Sequence, residues 1–322
     1  MGKETGLLSE RYDIIIIGGG PAGLTAGIYA ARGRMKTLLI ESFSVMGQAT
    51  MTEMIENYPG VEKSGGFELI SIFKRQAEKF GMKSRSGTVE KIAFKEDGGI
   101  RVWQVTDEDG VTEALSVIIA SGAKAKKLSV PGEDEMIGKG VSYCATCDGA
   151  FFKNKNIVVV GGGDTAVEEA LYLTRFGDKV SLIHRRDRLR AAKILQERVE
   201  SNEKMSFIWK SVVKRINGTD KVVSVTVKDV DTGEEKDVPC DGVFIFAGWE
   251  PNTGFLEGAV ETEEKGGIKV DAAMKTSAEG VFAAGDCCYK VLHQVVTACG
   301  DGATAAFSSQ NYVERLKGTE YK

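Results

Sequence analysis

The chain has 322 residues, of which 42% are hydrophobic and 27% charged, with a formal net charge of -4. That length suits two domains each with its own core, the composition argues against extensive disorder, and mild acidity excludes recruitment of nucleic acid by bulk electrostatics. The first eleven residues are polar and the apolar run Ile14 to Ile17 is too short for a signal peptide or a membrane span, so a cytoplasmic protein without membrane contact is expected.

Residues 13–41, DIIIIGGGPAGLTAGIYAARGRMKTLLIE, read as strand, glycine turn, helix, strand. Within the GxGxxG pattern Gly18 makes the tight turn, Gly20 lets a pyrophosphate approach the backbone, and Gly23 permits close packing of helix on strand. The phosphates would then sit at the helix amino terminus, where free N–H groups and the macrodipole favour negative charge. Glu41 ends the second strand, where a carboxylate accepts hydrogen bonds from a ribose hydroxyl; this suits FAD. Residues 88–123 follow as short β-like segments broken by Gly and Asp, a meander inserted before a final buried strand.

Next comes GVSYCATCDGAFF, residues 140–152. Its Cys-x-x-Cys spacing serves zinc sites and dithiol chemistry alike. The six cysteines, at 144, 147, 240, 287, 288 and 299, do not read as a disulfide framework in a chain of this size without a secretion signal. A disulfide that persists in a reducing cytosol is usually catalytic, which favours redox work at Cys144 and Cys147 and leaves the other four as buried thiols.

Residues 156–184, NIVVVGGGDTAVEEALYLTRFGDKVSLIH, repeat the first unit at an offset of 143, with Gly161, Gly163 and Ala166 in place of the three glycines. Two copies in the required context are far stronger than one, and neither carries the Gly-Lys-Ser/Thr ending of a P-loop. This copy ends in His184, Arg185 and Arg186, with Arg188 and Arg190 following. Guanidinium groups bind a 2′-phosphate bidentately, so the second site suits NADPH. A second meander spans 211–249, and after Pro251 the chain resumes the first domain. The expected fold is α/β, with two Rossmann-like dinucleotide-binding domains: an NADPH domain at 128–250 carrying the CATC motif, inserted into a discontinuous FAD domain at 1–127 and 251–322. Gly and Pro interrupt the strand pattern near Lys126 to Pro131 and Gly248 to Gly254, where two hinges are expected.

GGGPAG at 18–23, ENYPG at 56–60, CATCDG at 144–149, GGGDTAVEEALYLT at 161–174, HRRDRLRA at 184–191, PNT at 251–253, GVFAAGD at 280–286 and QVVTACGDGATAA at 294–306 together resemble the low-molecular-weight, bacterial-type thioredoxin reductases. The resemblance covers nearly the whole chain. It implies FAD held by Gly18, Gly20, Pro21, Ala22, Glu41, Gly47, Gln48, Asn57, Gly285, Asp286, Gln294 and Val295. It implies NADPH held by Gly161, Gly163, Asp164, Thr165, His184, Arg185, Arg186 and Arg190. Cys144 and Cys147 would be the redox dithiol, with Asp148 as the acid and base beside them. Family members commonly have Gly-Gly-Gln where this chain has Met46-Gly47-Gln48, and Arg where it has His293; Cys287-Cys288 also departs from the pattern.

The activity implied is transfer of electrons from NADPH through FAD and the Cys144–Cys147 disulfide to oxidised thioredoxin or a thioredoxin-like protein, in a homodimer whose NADPH domain rotates about the two hinges. A zinc site would want four ligands, and no second Cys-x-x-Cys exists, with His184 and His293 the only imidazoles. Other readings are a disulfide reductase serving another redoxin, such as a peroxiredoxin-reducing system, a ferredoxin-type NADPH reductase, which leaves the dithiol unexplained, and a flavin-binding interaction protein.

Overall fold

The structure is a computed structural model that describes residues 11–42, 47–52 and 55–320. The polar leader up to Glu10 and the departure at Met46 lie outside the described residues. In chain order the elements are β1 (Tyr12–Ile17), α1 (Pro21–Arg32), β2 (Thr37–Glu41), α2 (Gln48–Met51), α3 (Gly66–Lys79), β3 (Lys83–Ser86), β4 (Lys91–Asp97), β5 (Ile100–Asp107) and β6 (Gly110–Ile119). There follow β7 (Ala123–Ala125), β8 (Val141–Ser142), α4 (Ala145–Asp148), β9 (Asn156–Gly161), α5 (Asp164–Leu173), β10 (Lys179–Ile183), α6 (Lys193–Glu200) and β11 (Met205–Ile208). The chain ends with β12 (Ser211–Gly218), β13 (Val222–Asp229), β14 (Glu235–Pro239), β15 (Gly242–Phe246), β16 (Trp249–Pro251), β17 (Val281–Ala283) and α7 (Val295–Lys317).

Two compact units result, one from residues up to Lys124 together with Glu250 onward, the other from Ala125–Trp249. In the first, β3, β2, β1, β6 and β17 lie side by side, all parallel. A parallel sheet covered on both faces needs strands that are apolar throughout, and IIII in β1 meets that need. Ile14 and Ile16 pack towards α1, α3 and α7, whereas Ile15 and Ile17 pack with Trp103, Val105 and Val281 on the other face. The second unit repeats the plan with β11, β10, β9, β15 and β8, again all parallel. There Ile157 and Val159 face α5 and α6, while Val158 and Val160 face the meander.

The two meanders differ in one respect. In the second unit β12, β13 and β14 form a separate antiparallel sheet, and Cys240 and Asp241 break the chain before the buried strand β15. In the first unit no break intervenes: β6 pairs antiparallel with β5 over Gly110–Ala114 and parallel with β17 over Val117–Ile119. One ten-residue strand thus serves as both the last strand of the meander and the buried strand.

Helix α7 closes the first unit. Its start is fixed by a reciprocal capping box between Gln294 and Thr297, and Gly318 ends it in the left-handed conformation at φ +67°. Gly302 lets it approach α1 so closely that a Cβ at 302 would stand 2.1 Å from the Ala22 carbonyl oxygen. The amino-terminal turns of α1 and α7 are therefore held together. No helix among the described residues is long and apolar enough to cross a membrane.

Candidate active site

The first unit gathers most of the residues expected around FAD. Gly18 turns the chain at φ +110°, and a Cβ there would stand 2.3 Å from the Ala120 carbonyl oxygen, so no other residue fits. Gly20 is the N-cap of α1, Pro21 its first residue, and Ala22 is buried behind them. A Cβ at Gly20 would meet nothing within 4 Å, so the space beside this helix end is open. Glu41, at the end of β2, accepts from Lys74 Nζ at 2.5 Å. Its carboxylate lies directly over the middle glycine of the turn, 2.0 Å from where a Cβ at Gly19 would be.

Gly285 and Asp286 follow β17 in a short 3-10 turn, with Gly285 at φ +79° and its N–H donating to Asp301 Oδ2 at 3.2 Å. Asp301 also pairs with Lys290. Asp286 has a buried Oδ1 without a hydrogen-bond partner, and burial pushes its carboxyl up, opposed by His293 and Lys290. A buried carboxylate oxygen left unpaired costs free energy unless a donor arrives, and a hydroxyl of a bound nucleotide is such a donor. Asn57 Nδ2 donates to Gln294 Oε1 at 3.0 Å, and Val295 opens α7 behind Gln294. Gly47 and Gln48 open the single-turn helix α2, which packs on α3 where Gly66 lets Ala49 approach. Turn, open helix end and unpaired acid together fit FAD.

The second unit repeats the cradle with different chemistry. Gly161 ends β9, and Gly163, the N-cap of α5, faces open space in the same way as Gly20. Asp164 and Thr165 form the first turn, with Asp164 Oδ1 accepting from the Ala192 N–H at 2.7 Å. His184 takes the place of Glu41: its ring lies 2.4 Å from where a Cβ at Gly162 would be. The imidazole is buried and its Nε2 has no partner. Burial pushes it below its usual value, as do the charges of Arg190, Arg185 and Arg186. Arg185, Arg186, Arg188 and Arg190 are exposed, and the Arg190 N–H donates to the Gly162 carbonyl at 2.7 Å, folding this basic loop onto the glycine turn. An open helix end beside exposed guanidinium groups fits a phosphorylated nucleotide such as NADPH.

Cys144 and Cys147 are bonded to each other, with Cα atoms 5.4 Å apart. Cys144 is the N-cap of α4, and its sulfur accepts from the Cys147 N–H at 3.1 Å. Ser142 brackets Cys144, its Oγ accepting from the Cys144 N–H at 3.0 Å and donating to the Cys144 carbonyl at 3.1 Å. Cys147 is exposed and Cys144 half-buried, so the couple can be reached from solvent. Asp148 ends α4, half-buried, and its N–H donates to the Cys144 carbonyl at 3.2 Å. Cys240, Cys287, Cys288 and Cys299 are free and buried, as expected.

The pyridine nucleotide-disulphide oxidoreductase family profile matches residues 12–302. The chain belongs to this family. The thioredoxin reductase of Bacillus subtilis (strain 168) is 49% identical over 310 residues, 96% of this chain and 96% of that one. Among solved structures, Lactococcus lactis thioredoxin reductase (FR conformation) is 47% identical with a TM-score of 0.91, over 95% of this chain and 100% of that one. T. acidophilum thioredoxin reductase is 34% identical with a TM-score of 0.88, over 95% and 99% of the two chains.

Within this oxidoreductase frame, sequence reasoning passed over several residues. Gly19 and Gly162 make room for Glu41 and His184, a role visible in the sequence only as a third consecutive glycine. Lys74 reaches Glu41 from α3, 33 residues away, and gave no local sign. Asp301 stands inside a quoted motif, but its service to Gly285 needed the packing of α7 to be seen.

Proposed function

We propose that this chain is an NADPH-dependent thioredoxin reductase in which Cys144 and Cys147 are the final electron carriers. The observation that carries the reading is the reachable Cys144–Cys147 disulfide, set within the unit that bears a dinucleotide turn and an arginine loop. When bound, FAD supplies a two-electron carrier between the nicotinamide of NADPH and a disulfide. The chain supplies the positioning. In the first unit the α1 amino terminus would receive the pyrophosphate, Glu41 and Asp286 would accept from nucleotide hydroxyls, and the positive end of α7 behind Gln294 would favour negative charge on the flavin. In the second, Gly163 and the α5 amino terminus would receive phosphate, and Arg185, Arg186 and Arg190 would select the 2′-phosphate.

A dithiol reduces a protein disulfide by thiolate attack, which forms a mixed disulfide that the neighbouring thiol resolves. The exposed Cys147 and the bracketed Cys144 divide into one reachable sulfur and one held sulfur. Asp148, directly after Cys147, is proposed to take and return the proton at the exchanging sulfur. Thioredoxin is the proposed partner, the cytoplasm the proposed compartment and a homodimer the proposed assembly.

The test is a purified protein with bound flavin, assayed with thioredoxin and either NADPH or NADH. Reduction should be faster with NADPH and should vanish in Cys147→Ser while flavin remains bound. Undiminished thioredoxin reduction by Cys147→Ser would refute the role of the couple.

A further inference from the structure

Two residues before the proline-glycine turn at 131–132, Ser129 holds the left-handed conformation at φ +57°, which an ordinary side chain adopts at a cost. Glu133 explains it. Its side chain is buried and accepts from three successive backbone N–H groups, Leu128 at 2.9 Å, Ser129 at 2.6 Å and Val130 at 3.3 Å. A fourth donor is the Tyr143 phenol, at 2.6 Å. Residues 128–130 belong to the segment that enters the second unit, and Tyr143 immediately precedes Cys144. The side chains of Leu128, Val130 and Tyr143 pack against the same core of Met136, Val141, Val213 and Ile216. The Pro131 carbonyl accepts from the Ile216 N–H at 3.0 Å, so the entering segment is also tied to the meander.

We infer that Glu133 and Tyr143 are positioning residues: they clamp the backbone at Cys144 to the entering segment and thereby set how closely the Cys144 thiol is presented to Cys147. On its other side Cys144 is held by β8, whose Val141 and Ser142 pair with β15, and by the Ser142 hydroxyl. The phenol–carboxylate hydrogen bond ties the residue next to Cys144 to the entering segment, over and above their shared apolar packing. Ring closure to a disulfide is favoured when two thiols are held at high effective concentration, so releasing one of them makes the disulfide easier to reduce. The importance of this for turnover rests on the thioredoxin reductase reading; the equilibrium itself does not.

The flavin-bound protein, without NADPH and without oxygen, is equilibrated with dithiothreitol at fixed ratios of reduced to oxidised form, and thiols are trapped by alkylation. In the reaction one dithiothreitol delivers two electrons and two protons to the Cys144–Cys147 bond, which opens to two thiols while the reagent closes to its own disulfide. Tyr143→Phe keeps the ring and removes only the hydroxyl. It should shift the equilibrium about tenfold towards the dithiol, or about 30 mV for this two-electron couple. Glu133→Gln should shift it less in the Tyr143→Phe background than in the parent, because the phenol through which the carboxylate holds Cys144 is already gone. In Glu133→Gln the amides of Leu128, Ser129 and Val130 should exchange hydrogen faster than in the parent. An unchanged equilibrium in Tyr143→Phe would overturn the inference, and so would shifts that add in the double variant. Failure of the unaltered protein to reduce thioredoxin would count against the proposed function alone, since the dithiothreitol equilibrium is read without thioredoxin.

Discussion

Replacing Arg185 and Arg186 by alanine tests the choice of nucleotide. Both side chains are exposed on the loop that follows β10, beside the glycine turn that Arg190 binds through its backbone. A hydrogen bond to a charged group contributes about 1.5–3 kcal/mol, and exposure places these two at the lower end. Each is therefore worth about 1.5 kcal/mol of NADPH binding, or roughly tenfold in KM where KM reflects binding. The double variant should approach a hundredfold if the two act independently. NADH has no 2′-phosphate for either guanidinium to grip, so its KM should stay within about twofold of the parent value, and kcat at saturating NADPH should hold. Steady-state thioredoxin reduction with each nucleotide measures all of this. An equal loss of NADPH and NADH activity would refute the reasoning, because it would mean that the arginines support the fold or the shared adenosine and not the extra phosphate.

Asp286→Ala removes the buried carboxylate whose Oδ1 stands unpaired, and should weaken flavin retention by about tenfold or more, read as the ratio of flavin to protein absorbance after dialysis. Gly302→Ala drives a methyl against the Ala22 carbonyl and should cost about 1–3 kcal/mol, seen as a lower Tm, with flavin lost at the same time because α1 and α7 separate at their amino ends. His184 is held below its usual value by burial and by neighbouring arginines, so as pH falls below about 6.5 the unfolded chain takes up a proton that the folded chain refuses. Stability is therefore full above that pH and is lost as pH falls towards the lowered folded value; His184→Asn should show a smaller loss in paired melts on the two sides of it.

Much of this was legible because the parallel sheets leave a plain mark. Ile14 to Ile17 and Ile157 to Val160 are apolar at every position, which strands buried on both faces require, and the turns after them need glycine at Gly18 and Gly161, where φ is positive. At the second strand ends the residue types Glu41 and His184 could be read from the sequence, whereas their corresponding places over Gly19 and Gly162 emerge only from the fold. The clamp on Cys144 left no trace. Glu133 and Tyr143 are ten residues apart, with no periodicity to connect them, and the chain between them turns back through Gly138 and Gly140, both at positive φ. The meander of the first unit was read as separate from the buried strand, whereas residues 110–119 contain no breaker and run through as one strand. Lys74 and Asp301 act across helix packing, which composition does not encode.

The central claim is that electrons arriving from NADPH come to rest on the bond between Cys144 and Cys147. Anaerobic titration of the flavin-bound protein with NADPH, followed by counting of free thiols, tests it most directly. The unaltered protein should take up an electron pair beyond that held by the flavin and should gain two alkylatable thiols, whereas Cys144→Ser/Cys147→Ser should take up only the flavin's share. Equal uptake by the two proteins, with no thiols gained in the first, would contradict the account.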